Sequence, residues 1–501
     1  MQLQKLILSI AFLGIGQTYA QDSTSRVLQL KEQTSPVTAI ADQFFNSPAL
    51  RPYQRNFGFS HLSATYTNDQ QDLYLQQKGN GQKGYQVNSE TYIKQSPTLT
   101  LWGKAYYINE KIKGVNFNES SDFDIVYPYV MTDTVGGDLN SESYFFKGGL
   151  AKKTGRNNFG FEASYRGVQA FRDVDPRPLN ITSDIHVNFS ASREISTKYA
   201  LALALKGQKY TQNNELDFVS ELGSPLVYHD AGLGAYNRLL AGERKKAYYS
   251  ANSYAAAFSL APITQKGFFA EIAFKQFSLD KQLDRIASPI SEADERTYEG
   301  SIGYLNKEND HHFVVKINAS TSQRKGLEAK FNNNDVESSV QRINNNVRFL
   351  NDNLTLKLHT VYGKTAGTFN WYIGGDAQFT TNNQQYVDPA RYLDYSSLLV
   401  GLNLTGVKHL KNSVFSARVQ VYKTEMLESN YYWDDANPKT AIFSMLNSNF
   451  AYLSASSMTY GVHLKADFPV SEKLACFIQA EGCYQTTINR KYFGITAGFS
   501  F

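Results

Sequence analysis

The chain ends in the stretch FGITAGFSF, Phe493 to Phe501, in which apolar residues alternate with small or polar ones. Successive side chains of a β-strand point to opposite faces, so the alternation predicts a strand with one apolar face. That face carries Phe493, Ile495, Ala497, Phe499 and Phe501. A chain terminus is usually frayed, so an apolar terminal strand needs a partner. Pairing with the first strand, which would close the sheet into a barrel, supplies one.

The same alternation recurs in segments of about ten residues from residue 56 onward. It is clearest from Ile181 to Ala191, where Ile185 and Phe189 fall on one face and Asp184 and His186 on the other. A strand with hydrocarbon on one side and water on the other needs this period of two. A strand of a soluble β-sandwich would show it as well.

Short turns and long polar connections separate these segments in different places. The long connections run from Asn109 to Glu142, from Thr211 to Ser250, from Leu279 to Arg296 and from Met426 to Ser457. Transmembrane barrels show this asymmetry, with the long loops extracellular, whereas a sandwich does not. The sequence therefore predicts an all-β fold, a transmembrane antiparallel β-barrel of about 18 strands (about 16 to 20) over residues 56–501. Strand directions do not alternate correctly between Leu354 and Ser396, so one assignment there is expected to be wrong.

Composition favours strands and excludes several other classes. The chain has 33 tyrosines and 32 phenylalanines but 3 tryptophans and 2 cysteines, and aromatic residues are strand formers. After residue 20 no apolar run approaches the ~20 residues of a transmembrane helix. Cys476 and Cys483 would face opposite sides of one strand, which argues against a disulfide or metal-thiolate framework. Basic residues are scattered, so no nucleic-acid partner is expected.

Residues 1–20 have the parts of a secretory signal peptide. Lys5 precedes the apolar run Leu6 to Ile15, and the small residues near Ala20 suit signal peptidase. Cleavage is expected after Ala20.

Residues 21–55 are expected to form an N-terminal periplasmic segment. Ser35 followed by Pro36 predicts a helix start, and Val37, Ile40 and later apolar residues follow at helical spacing. Such an amphipathic helix would either plug the barrel from inside or cap it on the periplasmic side.

Two resemblances support this reading. The terminal strand resembles the C-terminal β-signal of outer-membrane proteins, which the barrel-assembly machinery recognises. In addition, five motifs are similar to those of a functionally uncharacterised family of outer-membrane barrels from Bacteroidota: SYR at 164–166, FRDVDPRPLN at 171–180, YPY at 127–129, GGD at 136–138 and GLG at 232–234. This resemblance implies a barrel in the outer membrane of a Gram-negative bacterium and implies no activity.

One short connection concentrates charge and proline. Arg172, Asp173, Asp175 and Arg177 lie in the FRDVDPRPLN motif, where two prolines restrict the backbone. These four residues are a candidate interaction site for a ligand or partner loop. The alternative, which we favour, is that charge pairs and prolines hold an extracellular loop compact.

The predicted inward faces of the strands carry polar residues that suit a water-filled lumen. The candidate lumen-lining residues are Asp184, His186, Lys206, Glu271, Lys275, His463, Lys465 and Glu481. No nucleophile pattern accompanies the histidines, and Tyr228-His229-Asp230 is the nearest catalytic candidate. The acidic connection from Asn109 to Glu142 lacks a calcium-loop pattern. We therefore expect no catalytic residues, no metal site and no cofactor.

The sequence supports three hypotheses for function. The first is a conduit or uptake-associated component of the outer membrane. The second is a structural barrel whose long loops dock a surface lipoprotein or another outer-membrane protein, such as a TonB-dependent receptor. The third and weakest is an outer-membrane hydrolase. Expected contacts common to all three are outer-membrane lipid or lipopolysaccharide, and the barrel-assembly machinery during biogenesis.

Overall fold

The computed structural model describes residues 26–501 apart from 221–222, 224, 243, 265, 285, 287, 309, 332–341 and 472–473. Its main element is an 18-stranded antiparallel sheet closed on itself. The strands are β1 (Phe59–Gln70), β2 (Gly81–Ser96), β3 (Leu99–Val115), β4 (Gly137–Thr154), β5 (Asn157–Phe171), β6 (Arg177–Glu194), β7 (Tyr199–Asp217), β8 (Lys246–Pro262), β9 (Lys266–Leu283), β10 (Ser291–Asn306), β11 (His311–Phe331), β12 (Arg342–Ala366), β13 (Phe369–Tyr386), β14 (Arg391–Leu410), β15 (Ser413–Tyr432), β16 (Ser457–Pro469), β17 (Ala475–Gln485) and β18 (Arg490–Ser500).

Helices are short and lie between strands or before them. The α-helices are α1 (Arg26–Thr34), α2 (Pro36–Ala41), α3 (Phe123–Val126) and α4 (Ala441–Leu453). Single 3-10 turns lie at Asp42–Phe45, Pro48–Tyr53, Gln76–Lys78 and Arg238–Leu240. None of the described helices is long and apolar enough to cross a membrane. The predicted signal peptide, residues 1–20, lies outside the described residues.

Each strand pairs with its neighbour in the chain, and the last strand pairs with the first. β18 runs antiparallel to β1, with Ile495 opposite Tyr66 and Phe499 opposite Leu62. Beyond the last strand residue, the Phe501 amide donates to the Ser60 carbonyl at 2.8 Å and the Ser60 amide donates back. The closed barrel therefore has no free edge, which is what a sheet in hydrocarbon requires.

The outer surface of the barrel is apolar. Leu203, Ile272, Leu402 and Ile478 are among many large apolar side chains that stay exposed there. Aromatic side chains flank this band near the short turns, as in Phe268, Phe369, Trp371 and Phe415, and nearer the long loops, as in Tyr66, Tyr165, Tyr298 and Tyr460. An apolar band between two aromatic girdles is the surface of a transmembrane barrel. The protein is thus an outer-membrane barrel, with its long loops extracellular.

Residues 26–57, called here the N-terminal plug, fold into the lumen at the end with short turns. The ring of Phe44 stacks on Phe269 of β9 with centroids 4.6 Å apart. On β6, three strands away along the wall, the Ala49 amide donates to Ser190 Oγ at 2.7 Å. A Cβ at Gly160 would lie 2.4 Å from the Pro48 carbonyl carbon, so only glycine permits this approach. Of the two placements left open by the sequence, the helix lies inside the barrel.

The structure confirms the fold class and the strand number, and refines the boundaries. Between Leu354 and Ser396 the chain forms long strands that alternate normally, β12 to β14. The long connections are shorter than predicted and span 116–136, 218–245, 284–290 and 433–456. Strand pairing continues past the apolar band into water, where side chains lose the alternation that marked the strands in the sequence.

Changing Phe501 to Asp, or deleting it, should impair insertion of the barrel. Phe501 supplies backbone bonds to Ser60 and an exposed apolar ring at the seam, so a charge there opposes burial in lipid. The yield of heat-modifiable barrel in outer-membrane fractions measures the effect. Val470→Asp, at an exposed turn position, is the matched control. Normal insertion of both Phe501 variants would contradict the assembly role.

Candidate functional site

Three extracellular loops fold back into the lumen and close its outer end. We call them together the extracellular plug: residues 116–136, 218–245 and 433–456. A two-residue antiparallel pairing, Met131–Thr132 with Tyr228–His229, joins the first two loops. Their apolar side chains form one buried cluster with the inner wall, including Tyr129, Leu233, Trp433 and the wall residue Phe349. Different parts of the chain therefore occupy the two ends of the lumen.

A buried ion pair anchors the first loop. Arg172 Nη1 lies 3.1 Å from both carboxylate oxygens of Glu119, and the two side chains are 1% and 0% exposed. Arg172 Nη1 also donates to the Pro176 carbonyl at 3.1 Å. The amides of Asn180 and Asn214 donate to the Glu119 carbonyl. Burial, followed by the neighbouring Asp133 carboxylate, raises the pKa of Glu119, while Arg172 acts in the opposite direction.

This arrangement changes the interpretation of the predicted loop interaction site. Arg172 is not available to a ligand, because it is enclosed by Glu119 and by backbone carbonyls. Asp175 accepts from Arg177 Nε at 2.7 Å and from the amides of Val219 and Ser220. Asp173 has one long contact of 3.4 Å with an asparagine of β4. These contacts fit the interpretation that charge pairs hold the loops together.

A second ionic network ties the same loop to the inner wall. Asp122 receives two bonds from Arg166, at 3.0 and 2.8 Å, and one from the Tyr210 hydroxyl at 3.0 Å. Arg166 also lies 3.5 Å from Asp184, which accepts from Gln208 at 2.9 Å. Asp184, predicted from the sequence to line the lumen, therefore connects the wall to the extracellular plug.

The third loop is fixed by an arginine of the wall. Arg391 of β14 makes a two-pronged bond to Asp435, at 2.8 and 2.7 Å, and donates to the Leu233 carbonyl at 2.7 Å. It thereby links the second and third loops to one strand. Helix α4 packs so closely that a Cβ at Gly234 would lie 2.6 Å from Ile442. The GLG motif at 232–234 is thus a close-packing point.

The other predicted lumen residues lie on the inner strand faces. Lys465 pairs with Asp467 at 2.8 Å, and Glu271 accepts from Ser259 at 2.6 Å. Glu481 accepts a bond from the Tyr492 hydroxyl, and Lys275 lies 5.8 Å from the Phe277 ring. His186 contacts Asp184 at 3.1 Å. His463 and Lys206 alternate with the outward residues Val462, Leu464, Leu203 and Leu205, so they face inward as well.

Between the two plugs, inward-facing charged side chains remain exposed to solvent. Lys206, Lys275, Glu299 and Lys357 are all exposed, although the alternation of each strand directs them into the barrel. They therefore line a water-accessible space inside the barrel, which we call the central chamber. Its wall carries both signs of charge.

A separate cavity of about 430 Å³ lies within the extracellular plug. Lys78 and Asp124 pair at 2.6 Å at its exposed rim, and their side chains are 47% and 75% exposed. Deeper in the cavity, Arg324 Nε lies 2.7 Å from Glu295, and its Nη1 donates to the Tyr127 carbonyl at 2.6 Å. The remaining polar lining is made mainly of asparagine and glutamine side chains.

The nearest catalytic candidate does not form a catalytic pair. Asp230 Oδ1 accepts from the amides of Ala231 and Gly232, at 3.0 and 3.3 Å. Among the described residues no hydrogen bond joins His229 to Asp230 or to a serine. Both side chains are buried, and Lys281 is buried beside them with its ammonium 5.5 Å from the Tyr249 ring. Burial raises the pKa of Asp230 to about 7, against the effect of the two amides.

Sequence reasoning missed the features that shape this site. Glu119 was one carboxylate among several in an acidic loop, and its pairing with Arg172 spans 53 positions. Trp433 follows a strand without any local motif. The sequence did contain one usable signal. Asn382 and Gln384 are two residues apart in one strand, so both amides lie on its inner face.

One family model matches most of the chain, and several solved structures are similar to it. The model of a family of unknown function (DUF6850) matches residues 48–501, and none of the curated proteins matches the sequence. The siderophore receptor PiuA from Acinetobacter baumannii is similar in structure at a TM-score of 0.42 and 6% identity, covering 89% of this chain and 82% of that one. The ferric-catecholate import receptor Fiu from E. coli K12 gives 0.40 and 8%, with 89% and 82% covered.

Replacing Arg172 with Met should loosen the extracellular plug. Glu119 would be left buried without its cation, which typically costs about 3–5 kcal/mol. We expect faster proteolytic cleavage within 116–136 of the purified barrel, with partial recovery in the double variant Arg172→Met/Glu119→Gln. Arg177→Met, at a more exposed pair, is the control and should change little. Equal cleavage of Arg172→Met and wild type would contradict the anchoring role.

The Asp230 carboxyl should favour the folded second loop more at acidic than at neutral pH, while the buried His229, whose pKa burial lowers, acts in the opposite direction. The pKa of Asp230 is higher in the folded loop than in an unfolded chain, so the fold favours the protonated acid. This contribution to loop stability is complete below about pH 4 and is lost as the pH rises to about 7. At each pH, cleavage within 218–245 is compared between wild type and Asp230→Asn, which share the contribution of His229. The ratio of wild-type to variant cleavage should rise over this interval, and a constant ratio would contradict the role of Asp230.

Proposed function

The chain belongs to this family of unknown function, and we propose that it is an uptake-associated conduit of the outer membrane that is closed at rest. The observation that carries the proposal is the water-accessible central chamber between the two plugs. Its wall is lined by charged side chains of both signs, such as Lys206 and Glu299. A lumen with such a wall suits small polar solutes and gives weak selectivity between ions.

Passage requires one or both plugs to move. The N-terminal plug is held by hydrogen bonds such as Ala49 to Ser190, by stacked aromatic rings, and by the ion pair of Glu32 with Lys307 at 2.7 Å. The extracellular plug is bound by buried ion pairs, of which Glu119 with Arg172 is the most enclosed. The N-terminal plug is one continuous segment, so it is the simpler of the two to displace.

A second candidate function is a barrel that docks a partner through its loops. It is favoured by apolar side chains exposed on the loops beyond the membrane: Val135, Val174, Val219, Leu226 and Leu239. Exposed apolar residues on a loop surface suit a protein partner such as a surface lipoprotein or a TonB-dependent receptor. The two functions are compatible, since a docked partner would control the extracellular plug.

Tethering the N-terminal plug to the wall should block the conduit. In a background with Cys476→Ser and Cys483→Ser, the pair Ala49→Cys/Ser190→Cys would join the plug to β6. We expect wild type to give intermittent conductance steps in planar bilayers in KCl, the oxidised pair to abolish them, and reductant to restore them. Thr65→Cys/Thr496→Cys, which links two wall strands whose hydroxyls lie 2.9 Å apart, is the matched control and should conduct.

Two outcomes would overturn the proposal. Steps that persist unchanged when the plug is tethered would mean that conduction does not require displacement of the N-terminal plug. Silence of both wild type and Arg172→Met, with heat-modifiability showing folded barrels, would mean that the barrel does not conduct, and the docking function would then stand alone.

A further inference from the structure

The cavity in the extracellular plug has the lining of a carbohydrate site. We propose that it binds a neutral, hydroxyl-rich ligand, a mono- or disaccharide, before that ligand enters the central chamber. This inference deepens the proposed function by naming the substrate class. Binding is measured without transport, so the two proposals fail separately.

The size of the cavity selects a small ligand. Its volume of about 430 Å³ lies in the range of about 300–1,000 Å³ that is usual for small-molecule sites. Strand β13 supplies one wall, helix α4 and Trp433 another, and the turn at Gln76–Lys78 the rim. These elements come from distant parts of the chain, so the cavity exists only when the three loops are folded inward.

The charges of the lining exclude an anionic ligand. The two cations, Lys78 and Arg324, are each bound to a carboxylate, Asp124 and Glu295 respectively. Among the described lining residues no further lysine or arginine is present. The fifth charged group, Asp230, is bonded to backbone amides. An anion would therefore meet no free cation in the cavity.

Neutral hydrogen-bonding groups dominate instead. The lining amides are Gln71, Gln77, Asn351, Asn382, Gln384 and Asn449. Three of them form a chain on the barrel wall, because Asn382 donates to Asn351 at 2.9 Å and accepts from Gln384 at 2.9 Å. Each amide offers two donors and two acceptor lone pairs, so this chain retains groups for a ligand. Amides that both donate and accept suit hydroxyl groups, which do the same.

Aromatic side chains complete the lining. They are Phe123, Tyr127, Tyr395, Trp433 and Tyr452. The Tyr127 hydroxyl donates to Gln384 at 2.6 Å, which places an aromatic ring beside the amide chain. Trp433 is 1% exposed, and its indole Nε1 is buried without a hydrogen-bond partner among the described residues. Trp433 therefore borders the cavity with its aromatic ring, and its Nε1 is not accessible from the cavity.

Calorimetry on the full-length barrel tests the inference. The protein is purified in a detergent without a sugar headgroup, since a maltoside would compete, and titrated with glucose, maltose, cellobiose, lactose and an anionic disaccharide containing glucuronate. We expect at least one neutral sugar to bind and the glucuronate disaccharide to bind at least tenfold more weakly. Trp433→Ala and Gln384→Glu should each lower the affinity for the neutral sugar by about tenfold, which is the effect of losing one well-made contact.

Matched controls separate binding from folding. Trp371→Ala removes a tryptophan on the lipid-facing surface and should leave sugar affinity unchanged. Gln384→Glu changes charge without changing size, so it keeps the test valid if Trp433→Ala fails to fold. Absence of binding by all the neutral sugars would overturn the inference, as would tighter binding of the glucuronate disaccharide, or affinity that is insensitive to Gln384→Glu. None of these outcomes depends on conductance.

Discussion

The seam between the first and last strands is the constraint on which the rest of the structure depends. Hydrocarbon offers no hydrogen bonds, so every backbone group of the sheet must find a partner within it. The pairing of β1 with β18, extended by the mutual bonds of Ser60 and Phe501, meets that condition. Once the ring is closed, side chains alone face lipid on one side and water on the other, and the period of two along each strand follows.

A closed ring of 18 strands encloses more space than the inner side chains can fill. The chain fills it with its own segments: the N-terminal plug at one end and three loops at the other. Both segments are held by packing and by ion pairs. The N-terminal plug packs Phe44 against the wall and pairs Glu32 with Lys307. The first loop is held to the wall by the ion pair of Glu119 with Arg172.

The pairing of charged residues also determines which side-chain groups remain available to bind a ligand. Around the extracellular plug the cations Lys78, Arg172, Arg324 and Arg391 are each bound to a carboxylate of the protein. What remains unbound in the cavity is neutral: amides and aromatic rings. In the central chamber, by contrast, charged side chains on the inner face of the strands, such as Lys206, are exposed to water. A neutral polar solute is compatible with both environments.

The sequence by itself determined the barrel, its approximate strand number and the apolar outer face, because these depend on a local alternation that one strand displays alone. It also identified the helix start at Ser35-Pro36, which is a local signal, and the inward direction of residues such as Asp184. Only the tertiary structure decided where the loops and the N-terminal segment lie, that Arg172 is buried on Glu119, and that Trp433 lines the same cavity as the amides of β13. Those contacts join residues far apart in the chain, and their energies depend on burial, which no local pattern encodes. The terminal strand could be predicted because the need to close the sheet implies its partner. Nothing in the acidic loop indicated which arginine would pair with Glu119.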